Sequence, residues 1–185
     1  MKLVPGNLFS KTRFWFCLSL LALFLIPQAV RFEKISYEKR EPYFTSPLTA
    51  ESHFLTLRRD SYGKGYFGAS RNGGRTHQGI DISTPVGEPI LAAKSGRVVF
   101  AGRDNGYGNI IEIRHPDGLW TRYAHLSELF VREGDWVTQR QAIGKSGKTG
   151  NASNPKISPH LHFEIRGKGQ ALNPVVFLDP QLKIS

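Results

Sequence analysis

From about Gly65 onward, short apolar runs are cut by glycine-rich turns, and no stretch carries a long 3.6-residue apolar stripe. This pattern limits the fold more than any other feature. Nineteen Gly and eleven Pro supply the turns, and such a chain builds a β-rich domain rather than a helix bundle. Gly79 to Ser83 alternates, with Ile80 and Ile82 on one face and Asp81 on the other. Pro89 to Ala93 and Gly96 to Ala101 read as the next strands. Asn109 to Arg114 and Leu119 to Ala124 flank His115-Pro116-Asp117-Gly118, a turn sequence that pairs them as a hairpin. Gly134 to Ile143 forms another turn-and-strand unit, and Leu161 to Ile165 is the last clear strand. The reading is a mainly β domain over residues 65–180, a single antiparallel sheet of barrel-like outline, with 181–185 as a tail.

Residues 1–30 differ in character. Phe14 to Ile26 carries no charge, Lys11 and Arg13 precede it, and Pro27 and Gln28 close it. A basic stretch followed by an apolar one is the pattern of a secretory signal. As a helix, Phe14 to Val30 reaches roughly 26 Å at ~1.5 Å per residue. The hydrocarbon core is ~30 Å thick, so a short signal-anchor that attaches the chain to the membrane through residues 14–30 is the alternative. A cut after Ala29 puts Pro27 where a small residue is wanted. Both readings export the rest of the chain to the periplasm or cell envelope. Residues 31–64 mix charges with Pro42 and Pro47 and read as a linker or stalk, with a short helix over Thr49 to Arg59.

The net charge of +10 is spread along the chain without a run of five like charges, so no nucleic-acid partner is indicated. A diffusely basic body suits an anionic polymer or surface. The single cysteine, Cys17, excludes both an intramolecular disulfide framework and a Cys-rich zinc module.

Four of the six histidines fall in three short motifs: His77-Gln78-Gly79-Ile80-Asp81, Tyr123-Ala124-His125-Leu126-Ser127, and His160-Leu161-His162-Phe163-Glu164. On a strand, His160 and His162 share one face while Leu161 and Phe163 take the core. Imidazole plus carboxylate is the donor set that holds zinc and leaves a position open. Alone, His77 with Asp81 reads equally well as a surface ion pair, and a lone His125 is more often structural. Three motifs in order weigh against that. The H-E-x-x-H helix of common zinc proteases is absent, and the Gly-Lys-Ser-Gly-Lys-Thr-Gly run lacks the setting of a phosphate loop.

These motifs together resemble the lysostaphin or LytM type of zinc metallopeptidase over roughly residues 65–180, including Gly106-Tyr107-Gly108-Asn109 and the run from Ile143 to Gly150. The resemblance implies one zinc ion per chain held by His77, Asp81 and His162. It implies that His125 and His160 share the roles of general base and transition-state stabiliser, and that the substrate is peptide of bacterial peptidoglycan. Family members that have lost ligands regulate other wall hydrolases. All five positions are filled here, which favours an endopeptidase over a regulator. A lipoyl-type carrier domain, the remaining rival, leaves the histidines without a role. Two departures from the family pattern stand out: the approach to His160 is long, and Arg140 sits where Gly is usual. Elsewhere, His115 reads as a solvated turn residue, and His53 has no site around it. Tyr123 reads as lining the groove on the face of His125, and Tyr107 and Asn109 as loop-forming. Glu164 reads either as an orienting partner of a ligand or as a structural carboxylate.

Overall fold

The computed structural model describes residues 8–49, 54–71 and 73–185, in two compact units, Met1–Arg40 and Glu41–Ser185. His53 lies outside the described residues. The described part of the first unit is one helix, α1 (Leu8–Arg40), with Pro27 inside it and Lys39 and Arg40 in its last turn, where cations complement the terminal carbonyls. Phe14, Trp15, Phe16, Leu23 and Phe24 are exposed on it. No helix among the described residues is long and apolar enough to cross a membrane.

The second unit is mainly β, as the alternation predicts. Its strands are β1 (Phe54–Leu55), β2 (Arg59–Asp60), β3 (Gly63–Lys64), β4 (Ile80–Ser83), β5 (Pro89–Leu91), β6 (Gly96–Asp104), β7 (Gly108–Arg114), β8 (Trp120–Leu126), β9 (Glu128–Leu129), β10 (Trp136–Val137), β11 (Ala142–Lys145), β12 (His160–Gly167), β13 (Gln170–Leu172) and β14 (Lys183–Ile184). Seven of them form the main antiparallel sheet in the order β10-β6-β7-β8-β12-β13, with β4 also on β12. One edge of β12 runs along β8; the other is shared by β4 and then β13. Strands β5, β11 and β9 make a smaller sheet, and two two-stranded ladders complete the set, none closing into a barrel among the described residues.

Alternation fixes what each strand buries. Leu161, Phe163 and Ile165 on β12 and Ile80 and Ile82 on β4 are fully buried in one core, with the Tyr123 ring 5.3 Å from that of Phe163. Burial of each such side chain contributes about 1.5–3 kcal/mol. Phe44, Leu48 and Leu55 join this core from residues 41–64. β1 pairs in parallel with β14, and Leu57 bridges Ile82. The short helix expected over Thr49 to Arg59 is therefore extended chain among its described residues, because Leu55 and Leu57 find long-range pairing partners that override local propensity.

Candidate metal centre

The β4–β12 register sets Asp81 directly opposite His162. His77 lies in the loop before β4. Gly79 lets that loop lie against β12, since a Cβ there would meet the Phe163 carbonyl oxygen at 2.3 Å. Three donor atoms converge as a result. His77 Nε2 is 2.9 Å from Asp81 Oδ1, His162 Nδ1 is 2.8 Å from the same oxygen, and the two ring nitrogens are 3.0 Å apart. All three residues are buried.

The donor set fits a zinc-type ion, and the opposite sides of the rings support that fit. A backbone carbonyl only accepts hydrogen bonds, so His77 donates from Nδ1 to the Tyr66 oxygen at 2.9 Å and turns the Nε2 lone pair to the triangle. His162 donates from Nε2 to Glu164 Oε1 at 3.0 Å and presents Nδ1. Tethering the far nitrogen of each imidazole sets ring orientation and basicity at metal centres. Glu164 is thus the orienting partner of His162. It is fully buried and also accepts from Tyr107 Oη at 2.8 Å and from Arg166 Nη1 at 2.7 Å.

Charge is concentrated here. Burial disfavours the His162 imidazolium, yet hydrogen bonds to Asp81 and Glu164 outweigh it and raise the ring to about 9. Burial likewise opposes ionised Asp81, but its bonds to His162 and His77 hold the carboxyl well below the usual range. Two guanidiniums, those of Arg58 and Arg71, each donate to Asp81 Oδ2 at 2.9 Å.

His125 and His160 stand beside the triangle, their rings 5.0 Å apart. His125 Nδ1 donates to the Thr149 carbonyl at 2.9 Å and His160 Nδ1 to that of Ser158 at 2.7 Å. Both therefore present an unprotonated Nε2. Burial, then the nearby His162 and His160 rings, push His125 down to about 3. Burial also lowers His160, against the pull of Asp81. The five expected positions thus share one cleft of about 440 Å³, with Arg71, Gln78, Tyr107, Asn151 and Ile157 on its walls.

Three residues differ from their sequence reading. Tyr123 does not line the groove; it is fully buried, and its hydroxyl accepts from Ala93 N–H at 2.8 Å. A β-bulge in β8, with His125 at φ 64°, breaks the alternation that placed both on one face. His115 is not solvated: its ring meets Phe44 edge-on at 5.2 Å and bonds the Ser95 oxygen and Thr121 Oγ1, each at 2.9 Å. Tyr107 lines the cleft, with its ring 5.5 Å from His162. The contacts of Arg58 and Arg71 escaped the sequence reading, because no motif joins them to Asp81.

Comparison with known proteins bears on this site. A model of peptidase family M23 matches residues 75–174. The DD-carboxypeptidase/endopeptidase Mpg of Neisseria meningitidis is 46% identical over 101 residues, 55% of this chain and 22% of that protein. The murein hydrolase activator NlpD of Escherichia coli is 44% identical over 113 residues, 60% of this chain and 28% of that protein. The chain thus spans about a quarter of the length of these relatives. Among solved structures, the catalytic domain of the antimicrobial peptidase lysostaphin from Staphylococcus simulans superposes with a TM-score of 0.53 at 38% identity, covering 64% of this chain and 90% of that one.

Proposed function

Because the chain belongs to peptidase family M23, we propose that it is an exported zinc-dependent endopeptidase that hydrolyses peptide bonds in peptidoglycan, in cross-links or stem peptides. The observation that carries this reading is the buried triangle of His77 Nε2, Asp81 Oδ1 and His162 Nδ1, flanked by two imidazoles whose Nδ1 atoms are tied to backbone carbonyls. When bound there, zinc supplies a Lewis acid for the scissile carbonyl and lowers the pKa of water.

The protein's own groups do the rest. His77, Asp81 and His162 hold the ion, and Tyr66 and Glu164 hold the two rings. We assign to His125 and His160 the two remaining roles: an unprotonated Nε2 takes the proton of the attacking water, and the developing oxyanion accepts from an Nε2 that carries a proton. Burial lowers both pKa values and keeps the two rings neutral at pH 7. Placement in the cell envelope rests on the uncharged run from Phe14 to Ile26 behind Lys11 and Arg13.

A second reading, a wall-binding regulator that activates another hydrolase, draws on the likeness to NlpD. Incubating the full chain with purified peptidoglycan and identifying products by mass separates the two. The endopeptidase releases peptide fragments. A folded, zinc-loaded chain that binds the polymer and releases nothing is the regulator.

A further inference from the structure

Arg58 precedes the stretch matched by the M23 model, yet its guanidinium reaches the candidate metal centre. Backbone bonds bring it there. Arg58 N–H donates to the Asp81 oxygen at 2.8 Å, Gly65 N–H to the Arg58 oxygen at 2.7 Å, and Asp81 N–H to the Gly65 oxygen at 2.8 Å. Gly65 permits this approach: a Cβ there would lie 2.7 Å from the Asp81 oxygen and 2.9 Å from Arg58 N.

The side chain then divides its donors between two carboxylates. Nη2 reaches Asp81 Oδ2 at 2.9 Å, and Nη1 reaches Asp60 Oδ1 at 2.6 Å. Asp60 Oδ2 accepts from Ser158 N–H at 3.0 Å. The carbonyl of that same Ser158 holds His160 Nδ1. One hydrogen-bonded chain thus runs from His160 through Ser158, Asp60 and Arg58 to Asp81. Arg71 adds a second bond to Asp81 Oδ2 from a less buried position.

Burying this guanidinium is costly. Arg58 is 5% exposed, and its buried Nε has no hydrogen-bond partner among the described residues. An unpaired buried N–H is destabilising, and buried ion pairs are weak contributors to stability, so stability alone does not account for it. We propose that Arg58 is a positioning residue for the metal: with Arg71 it pins Asp81 Oδ2 so that the carboxylate offers Oδ1 alone, and it alone ties that carboxylate to the His160 imidazole. The hairpin of β2 and β3 is then part of the centre. This inference rests on the zinc reading above.

The test is zinc affinity by chelator competition, with the visible spectrum of the Co2+-substituted protein as a second readout. The full chain is compared with Arg58→Met and Arg58→Lys, each checked for folding by circular dichroism. Arg58→Met weakens zinc binding roughly 10- to 100-fold and changes the Co2+ spectrum as Asp81 Oδ2 is left with its bond to Arg71 alone. Coulomb's law alone gives the opposite sign, since removing a cation near a dication favours binding, so a weaker site identifies positioning. Arg58→Lys keeps the charge but has one ammonium for two carboxylates and falls between; it decides the matter where the Met variant does not fold. Folded variants with wild-type affinity and superimposable spectra overturn the inference. A wild-type chain that binds no zinc overturns the zinc reading itself, and this inference with it.

Discussion

Tyr123 and His125 sit two residues apart on β8, yet Tyr123 packs on Phe163 in the core while His125 lines the cleft. The left-handed backbone at His125, φ 64°, makes that reversal. Such a conformation costs about 1–3 kcal/mol and persists only where the surroundings enforce it. Here the His125 N–H donates to the Tyr107 oxygen and its ring to Thr149, at 2.9 Å each.

His125→Ala is therefore expected to spare metal binding and remove catalysis. Cleavage should fall roughly 10²- to 10⁴-fold, the usual worth of a positioned acid or base, with zinc stoichiometry unchanged by elemental analysis. Equal loss of zinc and activity would place His125 among the ligands instead.

Glu164→Gln keeps the size of the side chain but removes the charge that holds His162 Nε2–H. Zinc affinity, measured by chelator competition at neutral pH, should drop roughly 10- to 100-fold. Tyr107→Phe deletes the hydroxyl that donates to the ionised Glu164 and should cost about 1.5–3 kcal/mol of stability, read by denaturant titration.

His115 makes the fold sensitive to acid away from the metal centre. Burial lowers its pKa to about 4, against about 6.5 in an unfolded chain. A neutral folded-state imidazole contributes its full stability above the unfolded value. As pH falls from about 6.5 through about 4 the unfolded chain takes up the proton first and stability declines, by at most about 1.4 kcal/mol per pH unit from this one group. Urea midpoints between pH 7 and 4 should show this decline in the wild type and a shallower one in His115→Gln.

Arg140 is exposed and holds φ 66°, the region that favours glycine. Its N–H bond to the Ala92 oxygen survives substitution. Relief of about 1–3 kcal/mol of strain against about 0.5–1 kcal/mol of added chain entropy makes Arg140→Gly stabilising. Thermal unfolding should shift up by about 2–4 °C per kcal/mol gained.

Much of the centre was legible because strand alternation is a local rule. Ile80 and Ile82 bury opposite Asp81, and Leu161 and Phe163 opposite His160 and His162. What alternation cannot show is where it fails, so the bulge at His125 concealed the inward turn of Tyr123. Long-range pairings were equally hidden. Leu55 is buried because Ile184 lies beside it, and His115 because Phe44 covers it. Arg58 reached Asp81 for the same reason, through a backbone ladder that no nearby motif announces.

A zinc endopeptidase built on this centre must depend on its metal for cleavage. Chelator-treated protein is titrated with zinc while peptide release from peptidoglycan is followed, with His162→Ala run in parallel. Release should return in proportion to zinc, level off at about one ion per chain, and stay absent in His162→Ala. Cleavage that persists after chelation, or survives in the His162→Ala chain, would contradict it.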